Sequence, residues 1–175
     1  MIINIFLKYF IHFINKMQIL FILLPIIVII IVQFIAIISN NWVEYNIDSV
    51  PNKNIKIGLW KGCVNNVCAD VDVSKSSSTI LITRIFTIIS LILLVVSCIL
   101  LFLPGMTTKN IYLILVIAIS GILSTLSSIL FSQDRSITDY YSKLGLPFYL
   151  ELISGIILII SSIILKFKLE SKIEK

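Results

Sequence analysis

The chain has 175 residues, of which 58% are hydrophobic and only 13% are charged, and its mean hydropathy is +1.08. Soluble domains carry about 25% charged residues, so this composition excludes an ordinary soluble domain and indicates an integral membrane protein. The net charge is +5, but no basic stripe is interleaved with aromatic residues, which argues against a nucleic-acid partner. The first partner that the composition predicts is therefore the lipid bilayer.

The first 18 residues are apolar and aromatic, but Lys8, His12 and Lys16 interrupt them. A signal peptide has its positive charge before the apolar run and a small-residue cleavage site after it, and this segment has neither feature. Two interpretations stay open. Residues 1–18 are a cytoplasmic segment that extends the first helix along the membrane interface, or translation starts at Met17.

Four stretches are long and apolar enough to cross a bilayer, which takes about 20 residues. They are residues 19–38, 80–103, 111–131 and 148–165. Two loops, 39–79 and 132–147, then face one side, and the loop 104–110 and the tail 166–175 face the other. The sequence predicts a single four-span membrane domain covering residues 1–175.

The distribution of Lys and Arg predicts the orientation of these spans. The side with both termini carries seven Lys against two Glu, whereas the loops on the opposite side carry six basic and six acidic residues. Positive charge accumulates in cytoplasmic segments. We therefore expect cytoplasmic termini, two extracellular loops and a place in the plasma membrane.

The first extracellular loop is predicted to form a small antiparallel sheet. Trp42 to Ile47 and Ile55 to Trp60 are rich in β-branched and aromatic residues, with turn residues between them, and residues 62–73 predict a third and a fourth strand. Trp42, Trp60 and Tyr45 are expected at the membrane interface. The predicted fold class is a mainly α four-helix transmembrane bundle capped by this sheet.

Cys63 and Cys68 stand at positions suited to a disulfide. If Asn65 and Asn66 form a two-residue hairpin turn, Val64 faces Val67 and the two cysteines face each other on adjacent strands. An oxidising extracellular environment would preserve the bond. Two free thiols or a metal site remain as the alternatives.

The order Trp42, Gly58-Leu59-Trp60, Cys63 and Cys68 resembles the first-loop signature of the claudin superfamily, which includes peripheral myelin and epithelial membrane proteins and calcium-channel gamma subunits. Arg84 matches an Arg common at the outer end of the second span in claudins. Residues 139–141 and 144–150 are similar to the claudin second loop and the start of its last helix. The resemblance implies a claudin-like fold and two functions: cell–cell contact with a paracellular barrier or ion path, or an accessory subunit of a channel or receptor.

Several features depart from vertebrate claudins and favour a divergent, invertebrate-like member. Four residues separate Cys63 from Cys68, which is a short spacing, and Glu151 replaces a small or aromatic residue. The tail ends Lys172-Ile173-Glu174-Lys175, without the hydrophobic terminus that a PDZ domain captures. The expected partners are further copies of the chain, in the same membrane or across cells, or a channel or receptor.

Arg84 and Glu151 are charged residues just inside the outer ends of their spans. Charge at that depth requires a partner or access to the surface. We consider two alternatives: an ion pair between the two residues that joins the second span to the fourth, or separate contacts of each with the surface.

Asp70 and Asp72 closely follow the second cysteine. In channel-forming claudins, charges in this part of the loop line the paracellular pore, and the resemblance implies that an acidic pair would attract cations. The alternative is a solvated strand edge that charge keeps soluble.

Small residues mark the third and fourth spans at helical spacing. Ser120, Ser124 and Ser128 recur every four residues beside Gly121, and Ser154 and Gly155 form a similar group. Such residues allow helices to approach closely. They predict packing inside the bundle or contact between subunits.

Enzymatic activity is not expected. His12 is the single histidine of the chain, so no Ser-His or Cys-His catalytic pair can form with the loop residues. The sequence contains no Gly-rich phosphate loop and no metal-ligand cluster, so it predicts no catalytic residue, metal or cofactor.

Overall fold

The computed structural model describes residues 23–46, 54–65, 67–71, 78–102, 111–134 and 142–170. Within these ranges the chain forms four helices and five short strands. The helices are α1 (Leu23–Ile38), α2 (Ser78–Phe102), α3 (Ile111–Gln133) and α4 (Leu146–Glu170). The strands are β1 (Val43–Asn46), β2 (Asn54–Ile57), β3 (Lys61–Val64), β4 (Val67–Asp70) and β5 (Ser142–Leu144). The predicted four-helix bundle with a small antiparallel sheet is confirmed.

Helices α2, α3 and α4 are each long and apolar enough to cross a membrane, and α1 is a shorter apolar helix in its described part. The predicted cytoplasmic segment 1–18 and the first four residues of the predicted first span, 19–22, lie outside the described residues. Large apolar side chains are exposed on every helix, among them Ile31 at 53%, Ile99 at 56% and Ile164 at 60%. Apolar side chains on the outward faces of all four helices are expected where lipid surrounds a bundle.

The strands form one antiparallel sheet in the order β4-β3-β2-β1-β5. The chain between α1 and α2 supplies four of them. The fifth precedes α4, in a segment that the sequence predicts only as loop. It pairs with β1 through Val43 opposite Leu144 and Tyr45 opposite Ser142, so the sheet bridges both loops at one end of the bundle, which we call the sheet end.

Strand β2 is shorter than predicted, because it ends at Ile57 instead of continuing to Trp60. The amide of Gly58 donates to the carbonyl of Lys61 at 2.9 Å. This bond closes a tight connection to β3. Gly58, Leu59 and Trp60 therefore form the corner between two strands.

The interior of the bundle consists of two apolar layers with a polar layer between them. The layer at the sheet end contains Trp42, Val43, Leu59, Ile80, Phe131 and Phe148. The layer at the opposite end contains Leu23, Ile26, Ile29, Leu94, Leu101, Leu113, Ile117 and Leu158. Between these layers each helix carries at least one buried polar residue. One such residue from each helix meets the others at a common point, and we call Gln33, Ser90, Ser124 and Ser154 the polar node.

Helices α3 and α4 approach each other closely at two glycines. A Cβ atom on Gly121 would lie 2.8 Å from the carbonyl oxygen of Gly155, and one on Gly155 would lie 2.6 Å from Oγ1 of Thr125. Ser120, Ser124 and Ser128 are buried in the same region. Of the two alternatives for these small residues, the structure shows packing inside the bundle.

Candidate functional site: the sheet and its anchors in the bundle

Trp42 anchors the first strand in the mouth of the helical bundle. Its side chain is fully buried, and its ring packs edge-on against Phe131, with centroids 5.0 Å apart, and against Phe148 at 6.3 Å. Its indole Nε1 donates to the carbonyl oxygen of Ala36 at 2.7 Å. That carbonyl is one of the last four of α1, which have no donor within the helix.

The expected position of Trp42 at the membrane interface is therefore wrong. The sheet packs so closely onto the ends of the helices that β1 carries the indole into the core. Tyr45 is half-buried against the same apolar layer. Trp60 is 36% exposed and is thus the indole that reaches the surface.

Arg84 connects α2 to the sheet. Its Nε donates to the carbonyl oxygen of Leu59 at 2.6 Å, and its Nη2 donates to the carbonyl oxygen of Val71 at 3.3 Å. The guanidinium also lies 4.9 Å from the centre of the Trp60 ring, which is within the range of a cation–π contact. One side chain thus holds the β2–β3 corner and the end of β4.

The two residues before Trp60 have separate structural roles in this corner. Leu59 is fully buried in the apolar layer at the sheet end. A Cβ atom on Gly58 would overlap the carbonyl oxygen of Ser39 and the Cα atom of Asn40, so only glycine allows the strand to pass this close to the end of α1. The motif Gly58-Leu59-Trp60 is therefore explained by close approach, burial and a stacked cation.

Cys63 and Cys68 form a disulfide across the β3–β4 hairpin, with Cα atoms 4.0 Å apart. The register pairs the two cysteines with each other and Val64 with Val67, as the two-residue turn predicts. Asn65 has φ of 48°, a left-handed conformation that Asn tolerates. The bond also excludes the alternatives of free thiols and a metal site at these positions.

The disulfide lies against the end of α1. Nδ2 of Asn40 is 3.0 Å from Sγ of Cys63 and 3.6 Å from Sγ of Cys68. Cys63 is buried at 5% exposure, whereas Cys68 is on the exposed strand β4. The hairpin is thus closed covalently on a side that faces the bundle.

Of the two alternatives for Arg84 and Glu151, the structure shows neither an ion pair nor contact with the surface, because each side chain has its own buried partner. Arg84 points toward the sheet carbonyls, while Oε1 of Glu151 accepts a hydrogen bond from Oγ of Ser124 at 2.8 Å. Both side chains are buried, at 4% and 0% exposure. The physical reason is that the sheet offers the guanidinium two carbonyl acceptors, so Arg84 does not depend on a carboxylate in the bundle.

Asp70 is exposed on β4 and stands opposite Lys61 in the register of the hairpin. Asp72 lies outside the described residues. Opposite charges that face each other across a hairpin reduce the local field of either one. The positive charge of Lys61 is therefore expected to weaken any attraction of cations by Asp70 and Asp72.

We expect the double substitution of Cys63 and Cys68 by Ser to lower the free energy of unfolding by about 2 kcal/mol, since the bond closes a short loop. Amide hydrogen exchange in β3 and β4 should rise, while exchange in α3 stays the same. Thermal unfolding and hydrogen exchange of the purified protein measure both effects. Reduced wild-type protein is the control and should behave like the double variant; uniform acceleration throughout the chain would contradict a local role.

Comparison with protein-family models matches residues 15–165 to the PMP-22/EMP/MP20/Claudin family. A search of curated protein sequences found no match. The matched region contains the four helices up to Leu165 and the whole described sheet. The chain is therefore a multi-pass membrane protein that belongs to the PMP-22/EMP/MP20/Claudin family.

Proposed function

We propose that this protein acts in cell–cell contact, where copies associate through their sheets to form or regulate a barrier or an ion path between cells. Membership of the family supports this class of function. The positive charge at both termini supports an orientation with the sheet outside the cell. The disulfide supports the same side, because such bonds persist in oxidising surroundings.

The observation that carries the proposal is the exposure of strand β4. It is an edge strand of the described sheet, and its four residues are all exposed. Val67 is 78% exposed and its partner Val64 is 42% exposed, so an exposed apolar pair lies directly beside the turn of the hairpin. Exposed strand edges pair readily with other chains, and a second copy in the same membrane carries the same edge at the same height.

The rigidity of this edge supports its use for association. The disulfide closes the hairpin, and Arg84 binds the carbonyl of Val71 directly after β4. An edge that is already ordered loses less conformational entropy when it binds. The strand is therefore organised for pairing before a partner arrives.

An ion path along this surface is expected to sense Asp70 and Asp72. Neutralising both should lower the permeability ratio of cations to anions if they line the path. Neutralising Lys61, which stands opposite Asp70, should raise the same ratio. Opposite shifts from these two changes would identify a charge-selective path, whereas no shift from either would indicate a solvated edge.

The test is to express the full chain, tagged, in contacting cells that lack junction strands, and to measure its enrichment at contacts together with transepithelial resistance. We expect enrichment and altered permeability for the wild type. The variant Val67→Lys should reach the surface but lose enrichment, because a charge blocks the apolar edge. Lys56→Gln, on an inner strand, is the matched control and should behave like the wild type.

Uniform plasma-membrane staining with unchanged permeability would contradict the proposal. The second function that the family allows, an accessory subunit of a channel or receptor in the same membrane, would then be tested. Purification from that membrane should recover the channel or receptor in a fixed ratio to this chain. Recovery that Val67→Lys abolishes would assign the same edge to that partner.

A further inference from the structure

We propose that Glu151 holds a proton inside the bundle and shares it with the side-chain oxygen of Gln33, so that a neutral acid–amide hydrogen bond joins α4 to α1. This inference does not depend on the function proposed above. It rests on the polar node and on two buried oxygen atoms beside it.

Gln33 is the centre of the polar node. Its side chain is fully buried, and its Nε2 lies 3.1 Å from Oγ of Ser124, 3.4 Å from Oγ of Ser154 and 3.5 Å from Oγ of Ser90. These serines belong to α3, α4 and α2. One amide group of α1 therefore contacts every other helix of the bundle.

The serines determine which way this amide points. Oγ of Ser90 donates to the carbonyl of Ser120 at 3.0 Å, and Oγ of Ser154 donates to the carbonyl of Glu151 at 2.8 Å. The hydroxyl of Ser124 donates to the carboxyl of Glu151. Because a hydroxyl has a single proton, each serine can only accept from Gln33. The NH₂ group must face the serines, and Oε1 must face away from them.

Two oxygen atoms in this region are buried without a hydrogen-bond partner: Oε1 of Gln33 and Oε2 of Glu151. Their side chains flank the same hydroxyl, that of Ser124, which accepts from Gln33 and donates to Glu151. Each of these buried oxygen atoms lacks a donor, and a buried acceptor without a donor costs free energy. A proton on Oε2 of Glu151 that reaches Oε1 of Gln33 would turn one acceptor into a donor and give each atom a partner.

The charges of the surrounding helices favour the neutral acid. In the described residues α1 has no charged side chain, and the charge of α2 is Arg84, which binds carbonyls of the sheet. Asp134 follows the end of α3, and α4 has no further charge before Lys166. The titratable groups of these helices that are uncharged at neutral pH are Cys98, Tyr112 and Tyr149, and the charged residues Lys168 and Glu170 follow Lys166 at the far end of α4. A carboxylate at membrane depth without a cation nearby is strongly disfavoured against its protonated form.

Infrared spectroscopy of the full chain in lipid tests the proposal directly. At neutral pH we expect the carbonyl stretch of a protonated carboxylic acid in the wild type and its loss in Glu151→Gln. In Gln33→Leu the band should persist at higher frequency, because the acid loses its acceptor. Identical spectra for the wild type and Glu151→Gln would contradict the proposal that Glu151 is protonated. A band that keeps its frequency in Gln33→Leu would contradict the proposal that Gln33 accepts this hydrogen bond.

Thermal unfolding adds a second readout that distinguishes a proton from a bound cation. Glu151→Gln should keep the melting temperature close to that of the wild type, since an amide can donate to Gln33 in place of the acid. Glu151→Leu should lower it by several degrees. Replacing sodium by a bulky organic cation should leave the wild-type melting temperature unchanged. If removing sodium lowers the melting temperature of the wild type but not that of Glu151→Gln, a cation binds at Glu151. That result would contradict a proton at this position. If Glu151→Leu does not fold, the infrared spectrum of the wild type and the replacement of sodium still show whether Glu151 holds a proton or a cation.

Discussion

Replacing Trp42 by alanine is expected to lower the free energy of unfolding by about 3–5 kcal/mol, the range for removing a buried indole from a core. The ring is fully buried between Phe131 and Phe148, so alanine leaves a cavity at the point where the sheet enters the bundle. The carbonyl of Ala36 also loses its donor. Thermal unfolding of the purified protein in detergent measures the effect.

Two further variants separate these contributions. Trp42→Phe keeps most of the apolar surface but removes the bond to Ala36, and should lower the free energy of unfolding by about 1–3 kcal/mol. Trp60→Ala is the matched control, because that indole is 36% exposed, and it should lower the free energy by about 1 kcal/mol. Equal losses for the two alanine variants would contradict the assignment of Trp42 as the anchor.

Substitution of Arg84 is expected to detach the sheet from α2 and to destabilise the protein by about 2–3 kcal/mol, which is typical of hydrogen bonds from a charged group. In Arg84→Ala the carbonyls of Leu59 and Val71 lose their donor, and Trp60 loses its stacked cation. Hydrogen exchange should therefore increase in β2, β3 and β4. Exchange in the interior of α3 should change much less.

Arg84→Lys is the matched control for charge. Lysine keeps the positive charge but cannot donate from two separate nitrogen atoms in a fixed plane. We expect it to recover only part of the lost stability, and exchange near Val71 should stay fast. Full recovery by lysine would contradict the role of the guanidinium geometry and would indicate that charge alone matters. Restoration of Arg84→Ala by a change at Glu151 is not expected, because the two side chains have different partners.

Local chemistry explains which features the sequence predicts well. The number of helices follows from composition, because only long apolar runs suit a bilayer. The hairpin between Cys63 and Cys68 follows from Asn65 and the short spacing, because turn geometry and register are set within a few residues. The first-loop signature predicts the claudin-like fold, because its residues lie near one another in the chain.

Contacts between distant segments explain what the sequence does not predict. Strand β5 has only three residues and forms because β1 lies beside it. Gln33 stands alone in an apolar run, and only the bundle shows that Ser90, Ser124 and Ser154 surround its amide. An isolated polar residue in such a run is the one signal that could have identified it.

The sequence by itself therefore determined that this is a four-helix membrane protein with a disulfide-closed hairpin, since apolar length, turn residues and cysteine spacing act locally. Only the tertiary structure decided the partners of its buried polar groups. It placed Trp42 in the core instead of at the interface, and it gave Arg84 the carbonyls of the sheet and Glu151 the hydroxyl of Ser124. The reason is that a buried polar group binds the nearest acceptor or donor in space, and that neighbour comes from another helix or strand.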